Sequence, residues 1–366
     1  MNKLSIETSH QLIVMGQDDY VKRVCSYYDQ IYHNEIKCVK FVFPLVTDKS
    51  DNNVFDFDSC NDFLQKLEYD VVLFIAFSVK VHRQIQLFLN KKGFHNLFFY
   101  TPAVDNKLKK EYFSKYFEEQ GERFNYIYEM DNEGYTQENK VELYMTKCIV
   151  DKPLVSFPNS LPQCVIQIQA GAALTDKRIA TVTDDIGDNI SSRNRRYSEM
   201  TAAYWAWKHS KADFIGLCHY RRHFVDLGKI VSKLNRINID IVLPLPTLYE
   251  TSIYKDHLMK YTPTVYKVML AVLDEYSPEY YDSALNIYDK KIFIANNMWI
   301  VRKTVLDDLF SWLFPILFEI EKRIGELEDS YYNRYAGFCA EQLTGLYFLY
   351  NKRNWKIAYA EKMFLY

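Results

Sequence analysis

Between Asp70 and Ser78 the chain reads Val71-Val72-Leu73-Phe74-Ile75-Ala76-Phe77, with no polar residue in the run. A strand with one wet face alternates apolar and polar side chains. An unbroken, partly β-branched run predicts a strand buried on both faces, and that needs a parallel sheet with helices on either side. The flanking sequence supplies those parts. Gln11–Met15 reads as a strand ending at Gly16. Asp18–Ile31 carries Val21, Val24, Tyr28 and Ile31 at helical spacing. Lys37–Phe43 and His95–Tyr100 read as further strands, and Val79–Lys92 as a helix closed by Gly93. The order predicts a small Rossmann-like α/β domain over 1–103.

A dinucleotide site would need Gly-x-Gly-x-x-Gly at the first strand-to-helix turn, so that backbone can approach a pyrophosphate. Here the turn is Gly16-Gln17-Asp18-Asp19-Tyr20-Val21, with two glycines missing and two carboxylates where phosphate would sit. No NAD or FAD is expected, and the domain reads as an accessory or oligomerisation module. Residues 104–139 are polar and read as a surface helix followed by a linker through Asn132-Glu133-Gly134.

A second α/β plan occupies 140–366. Strands are expected at Val141–Val150, Cys164–Gln169, Asp213–Cys218, Asp240–Leu243, Lys291–Val301 and Trp355–Tyr359. Helices are expected at Arg195–His209, through about residue 287, at Leu306–Ile324 with a kink at Pro315, and at Phe338–Tyr350. In such sheets ligands bind in loops at the strands' carboxyl ends.

Bulk properties narrow the function. Net charge is −2, which gives no global field for nucleic acid. Seven cysteines without a Cys-x-x-Cys pair suggest neither a disulfide framework nor structural zinc and suit a reducing cytoplasm. Met1–Glu7 lacks the apolar core of a signal peptide, and no run approaches the ~20 apolar residues that span a bilayer. The basic runs Lys107–Lys110 and Lys352–Lys356 read as solvated faces or as peripheral contacts with an anionic membrane. Aromatic residues reach 16%, which suits both core packing and stacking on sugars.

Four segments carry polar groups just past apolar strands or at helix starts. Gly171-Ala172-Ala173 is followed by Asp176, Lys177 and Arg178, a weak phosphate-type signal. Asp184-Asp185-Ile186-Gly187-Asp188-Asn189 could bind a divalent cation or sugar hydroxyls, or could be an Asp/Asn/Gly turn. Phe214–Cys218 delivers His219, Tyr220, Arg221, Arg222 and His223, and guanidinium forks there would match a diphosphate or pair with the acidic loop. His219 and His223 straddle a strand end, so they are not read as a zinc pair. Glu341 is placed in the first turn of an apolar helix, as a dipole partner or as a general base.

Taken together, Gln167–Ala173, Asp184–Ser191, Glu199–Lys208, Ile215–Arg222, Asn296–Val301 and Gly337–Leu343 resemble the motifs, in order, of a bacterial family from capsule, exopolysaccharide and O-antigen loci. That family, long a domain of unknown function, is associated with galactofuranosyltransferases of GT-A-like fold. The resemblance covers roughly 140–366. It implies transfer of galactofuranose from UDP-galactofuranose to a hydroxyl of a growing glycan, with inversion. It also implies a UDP-sugar donor and a glycan acceptor that can be lipid-linked. Glu341 is the candidate base, with Asp185 and Asp188 as rivals. His219, Arg221 and Arg222 are candidates for the leaving group. Gly171, Ala172, Asp188 and Asn189 are candidates for donor binding, and Asn297 and Met298 for the acceptor side. Many GT-A enzymes hold Mn or Mg with Asp-x-Asp, but the one such triplet is Asp56-Phe57-Asp58, in the first domain. Two alternatives stay open: a non-catalytic sugar-nucleotide or glycan-binding partner, and a transferase using a pyranose donor such as UDP-galactose or UDP-glucose.

Overall fold

The computed structural model describes residues 11–32, 37–47, 53–68, 71–134, 136–154, 161–249, 251–260, 262–294 and 297–365. Met1–Glu7, Asp70, Asn296 and Tyr366 lie outside them. The chain forms two compact units, Met1–Arg123 and Phe124–Tyr366.

In the first unit the elements are β1 (Gln11–Gly16), α1 (Asp18–Ile31), β2 (Lys37–Val42), the hairpin β3 (Leu45–Thr47) and β4 (Asn53–Phe55), α2 (Asn61–Leu64), β5 (Leu73–Ala76), α3 (His82–Lys91), β6 (Leu97–Phe99) and α4 (Pro102–Glu119). The main sheet runs β2-β1-β5-β6 with every pairing parallel. The apolar run that opened the sequence supplies β5, all four residues of which are buried between β1 and β6. The chain reverses its winding direction between β1 and β5, where a nucleotide would lodge in a Rossmann fold. That crevice is closed. A Cβ on Gly16 would sit 2.0 Å from the Ala76 carbonyl oxygen, and Gln17 N–H donates to the same oxygen at 3.1 Å. Phe77 packs there against Phe43 and Phe55 at ring distances of 5.3 and 4.8 Å. Gly16 therefore serves close strand packing.

The expected linker 104–139 is shared between the units. Thr101 caps α4 by accepting from Val104 N–H, and Pro102 opens it. Its Tyr112 packs on Tyr27 of α1. Lys109 is buried and ion-paired with Asp105 at 2.7 Å, so the Lys107–Lys110 run is no continuous basic face. Past Arg123 the chain joins the second unit, where Asn125 accepts from Tyr359 N–H and donates to the Ile357 carbonyl.

The second unit contains β7 (Val141–Lys147), β8 (Val165–Gln169), β9 (Val182–Thr183), α5 (Asn194–Tyr197), α6 (Met200–His209), β10 (Phe214–His219), β11 (Arg222–Phe224), α7 (Leu227–Leu234), β12 (Ile241–Pro244) and β13 (Thr247–Leu248). It continues with α8 (Ile253–Lys260), α9 (Pro263–Tyr276), α10 (Pro278–Tyr288), β14 (Ile292–Phe293), β15 (Trp299–Arg302), α11 (Lys303–Ile324), α12 (Tyr335–Tyr350), β16 (Ile357–Ala360) and β17 (Lys362–Phe364). The large sheet runs β16-β12-β15-β10-β7-β8-β9. Strands β10, β7, β8 and β9 are mutually parallel, while β15 lies antiparallel between β10 and β12. Gly216 makes the centre of β10 thin enough for its neighbours. A Cβ there would meet Leu143 at 2.5 Å and Ile300 at 3.0 Å.

Three elements differ from expectation. The Arg195–His209 helix is broken into α5 and α6, with Ser198 at φ 49° between them. The Asn194 amide pins the break by donating to the Ser198 carbonyl at 2.7 Å and to Thr201 Oγ1 at 3.0 Å. The Lys291–Val301 strand is two strands in different sheets, β14 against β13 and β15 in the main sheet, with Asn297 at φ 41° before the second. The basic end of β10 is no open loop but a tight hairpin into β11, which β17 then covers. Helix α11 continues through Pro315. Among the described residues no helix is long and apolar enough to cross a membrane.

Candidate functional site

The acidic loop is a brace. Asp184 is fully buried and accepts from Gly171 N–H at 2.9 Å, Ala172 N–H at 3.0 Å and the Ser191 hydroxyl. Ser191 Oγ in turn accepts from Ala173 N–H at 3.0 Å. A carboxylate with three donors is well compensated for its burial. Gly171 needs its φ of 71°, and a Cβ would lie 2.6 Å from the Asn194 side chain. The amides of Gly171 and Ala172, named as donor-binding groups, are thus already engaged within the protein. Asp185 pairs with Arg178 at 3.0 Å. Asp188 is exposed, accepts from Tyr204 OH at 3.1 Å and lies 3.8 Å from Lys208 Nζ. Asn189 closes its own turn, donating to the Gly187 carbonyl and accepting from Ser191 N–H. The three carboxylates face separate partners, which favours the turn reading over a cation site.

Cations and carboxylates converge instead beyond the carboxyl ends of β7 and β10. Arg222 opens β11 opposite His219. Its guanidinium lies over the Phe364 ring at 5.1 Å, and its Nε is buried without a hydrogen-bond partner among the described residues. Burial depresses its pKa below the ordinary arginine value. Glu341 and Glu199 attract it, while Arg221 and Arg334 repel it. Arg221 is exposed, 5.6 Å from the same ring, and its carbonyl accepts from Leu365 N–H at 2.8 Å. The C-terminal strand thereby fixes the arginine hairpin. Asp151, just past β7, accepts from Cys148 N–H at 2.7 Å. Burial raises its pKa, against the pull of Arg221, Lys147 and Arg334.

Glu341 belongs to the same neighbourhood. Helix α12 starts at Tyr335, so Glu341 stands in its second turn and not, as expected, in the first. The helix dipole acts mainly within the first turn, so it no longer accounts for a carboxylate there. Sequence reading missed Glu199, presented by the break between α5 and α6. It accepts from Asn297 Nδ2 at 2.7 Å, and the same amide donates to the Gly337 carbonyl at 3.2 Å. Arg334 donates to Ser198 Oγ at 3.0 Å. The signals available were the unexplained carboxylate of the Glu199–Lys208 motif and an Asp soon after a strand. Neither is distinctive without the fold. Asn297 and Met298 are both buried and line a small recess with Glu341.

A wider groove lined by Arg193, Arg196, Phe318, Glu321 and Lys322 has its two arginines already paired with Glu321, at 2.8 and 2.6 Å. Among the described residues no three His, Cys, Asp or Glu side chains gather as metal ligands. In the first unit Asp56 caps a turn, accepting from Asp58 and Ser59 N–H. The donor set around Arg222 does not fit a divalent ion, since Glu199 is held by the Asn297 amide and Asp151 by Cys148 N–H.

Arginines and carboxylates thus collect at the carboxyl edge of parallel strands, where α/β folds commonly bind ligands. The chain belongs to the family described as "Domain of unknown function (DUF4422)", whose profile matches residues 155–352, more than half of the sequence. It is similar to the solved apo structure of WbbM, a bifunctional glycosyltransferase, with a TM-score of 0.54 and 26% identity over 62% of this chain. This chain spans 45% of the WbbM chain. None of the curated proteins matches. The architecture is a GT-A-like α/β fold.

Proposed function

We propose that the Phe124–Tyr366 unit is a glycosyltransferase that moves galactofuranose from UDP-galactofuranose to a hydroxyl of a growing cell-surface glycan. The observation that carries this reading is Arg222, a largely buried cation with an unpartnered Nε, facing Glu199 and Glu341 without an ion pair to either among the described residues. Burying such a charge is costly unless an anion completes it. The departing diphosphate of a sugar nucleotide is such an anion. In the inverting reaction the acceptor oxygen bonds to the anomeric carbon as the bond to UDP breaks. The proton passes to a carboxylate, and the electron pair stays on the UDP oxygen. Glu341 takes the proton, while Arg222, assisted by Arg221 and Arg334, stabilises the leaving charge. Asp185 and Asp188 are less suited to take the proton, each held by other partners.

The similarity to WbbM supports glycosyl transfer. The galactofuranose donor and inversion rest on the motif resemblance, as does a lipid-linked acceptor approached from the inner face of the membrane. The first unit serves as an accessory or assembly module. The test is UDP release by purified protein with UDP-galactofuranose and a galactoside acceptor, beside UDP-galactose and UDP-glucose. Release with the furanose donor alone is expected. Donor binding by calorimetry with no turnover on any acceptor would replace the enzyme with a binding partner.

A further inference from the structure

Beside Glu341 is a recess with room for little more than one oxygen-sized group, lined by Asn297, Trp299, Thr344, Glu341, Leu243 and Phe348 among others. Three of these residues carry buried polar atoms with no hydrogen-bond partner among the described residues: Asn297 Oδ1, Trp299 Nε1 and Thr344 Oγ1. The residues are 4%, 1% and 5% exposed. Three lining residues of one cavity that each carry such an atom are unusual, because a native interior leaves only a few orphans per hundred residues.

Their chemistry is complementary. The Asn297 amide is oriented by two acceptors, the Glu199 carboxylate and the Gly337 carbonyl, so its NH2 must face them. What remains is an acceptor, Oδ1. Trp299 Nε1–H can only donate, and the Thr344 hydroxyl can do either. One acceptor, one donor and one group of either kind complement a single hydroxyl, which donates once and accepts up to twice. The φ of 41° at Asn297 is a further cost, retained at a position where it aims an amide at Glu199. Thr344 lies three residues after Glu341 on α12, so the two share a helix face.

We infer that this recess is a subsite for one uncharged hydroxyl of the acceptor sugar, neighbouring the hydroxyl that reacts at Glu341. It makes Trp299 and Thr344 determinants of acceptor specificity. This rests on the glycosyltransferase reading. A site built to hydrogen-bond a substrate hydroxyl rejects the analogue lacking it far more strongly than an apolar pocket rejects a changed methylene.

The experiment takes the best acceptor from the UDP-release screen and its single-deoxy analogues, with wild-type protein and with the variants Thr344→Val and Trp299→Phe. The wild type is expected to lose kcat/KM by about ten-fold or more for one particular deoxy position. Each variant loses activity on the parent acceptor but loses little more on that same analogue. Additive losses at every position would overturn the subsite, and so would wild-type indifference to all the deoxy analogues. A purely structural or water-holding role gives that additive pattern together with a change in unfolding temperature. Absence of any acceptor in the screen would instead remove the glycosyltransferase reading itself, and the subsite with it.

Discussion

Arg222→Met separates a ligand-binding cation from a structural one. In the folded protein the Arg222 side chain has no ion pair among the described residues, and its Nε is an orphan. Removing an unsatisfied buried donor relieves about 1–3 kcal/mol. Against this, the contact with the Phe364 ring at 5.1 Å is lost, worth about 0.5–2 kcal/mol. The two effects nearly cancel, so stability should change by no more than about 1 kcal/mol. For a unit of this size that is about 2–4 °C in the unfolding midpoint. A structural arginine in a buried salt bridge would behave differently, costing about 3–5 kcal/mol when removed. Catalysis should suffer much more than stability. Loss of one preorganised group facing the developing charge typically costs about 10²–10³ in kcat. The assay pairs differential scanning fluorimetry with UDP release under saturating donor. A fall of more than about 10 °C, with turnover retained in the folded fraction, would refute the reasoning.

Three further outcomes follow from the same geometry. Glu341→Gln should lower kcat by about 10²–10⁴ while leaving donor affinity by calorimetry nearly unchanged, and near-normal turnover would pass the role of base to another carboxylate. Asp184→Ala strands three buried donors, on Gly171, Ala172 and Ser191, and should cost about 3–5 kcal/mol in chemical denaturation; a loss under 1 kcal/mol would show that the brace is dispensable. The third concerns pH. Burial lowers the His223 pKa in the folded state, so the folded form binds its proton less readily than the unfolded chain does. The stability it contributes is present above the ordinary value of 6.5 and is lost as pH falls below it. His223→Gln should flatten the pH dependence of the unfolding midpoint between about pH 7 and 5, and an unchanged slope would reject the assignment.

Much of the framework was legible because periodicity and strand burial are local properties. The limits of α1 coincide with the expected Asp18–Ile31, β5 and β8 fall within the segments that predicted them, and β10 runs one residue past the expected Cys218. What escaped depends on non-local contacts. The break at Ser198 is imposed by the Asn194 amide, and no helical pattern reveals it. The Lys291–Val301 run is apolar enough for one strand, yet its two halves pair in different sheets around Asn297. The candidate site was partly legible. Arg222, Glu341 and Asn297 were named from their motifs, and the fold brings them to one neighbourhood. Asp188 is held by Tyr204 and Lys208 of α6, Asn189 closes its own turn, and the Gly171 and Ala172 amides are held by Asp184, because acidic and glycine-rich loops look alike whether they hold a ligand or themselves. Glu199 and Asp151 were invisible because single carboxylates acquire meaning only from what faces them.

The structure of the protein with UDP bound tests the central claim most directly. The diphosphate is expected within hydrogen-bonding distance of the Arg222 guanidinium, at the carboxyl ends of β7 and β10, on the side facing Glu341. A diphosphate seated elsewhere, in the Arg193–Lys322 groove or at the Gly16 turn of the first unit, with Arg222 untouched, would contradict the account.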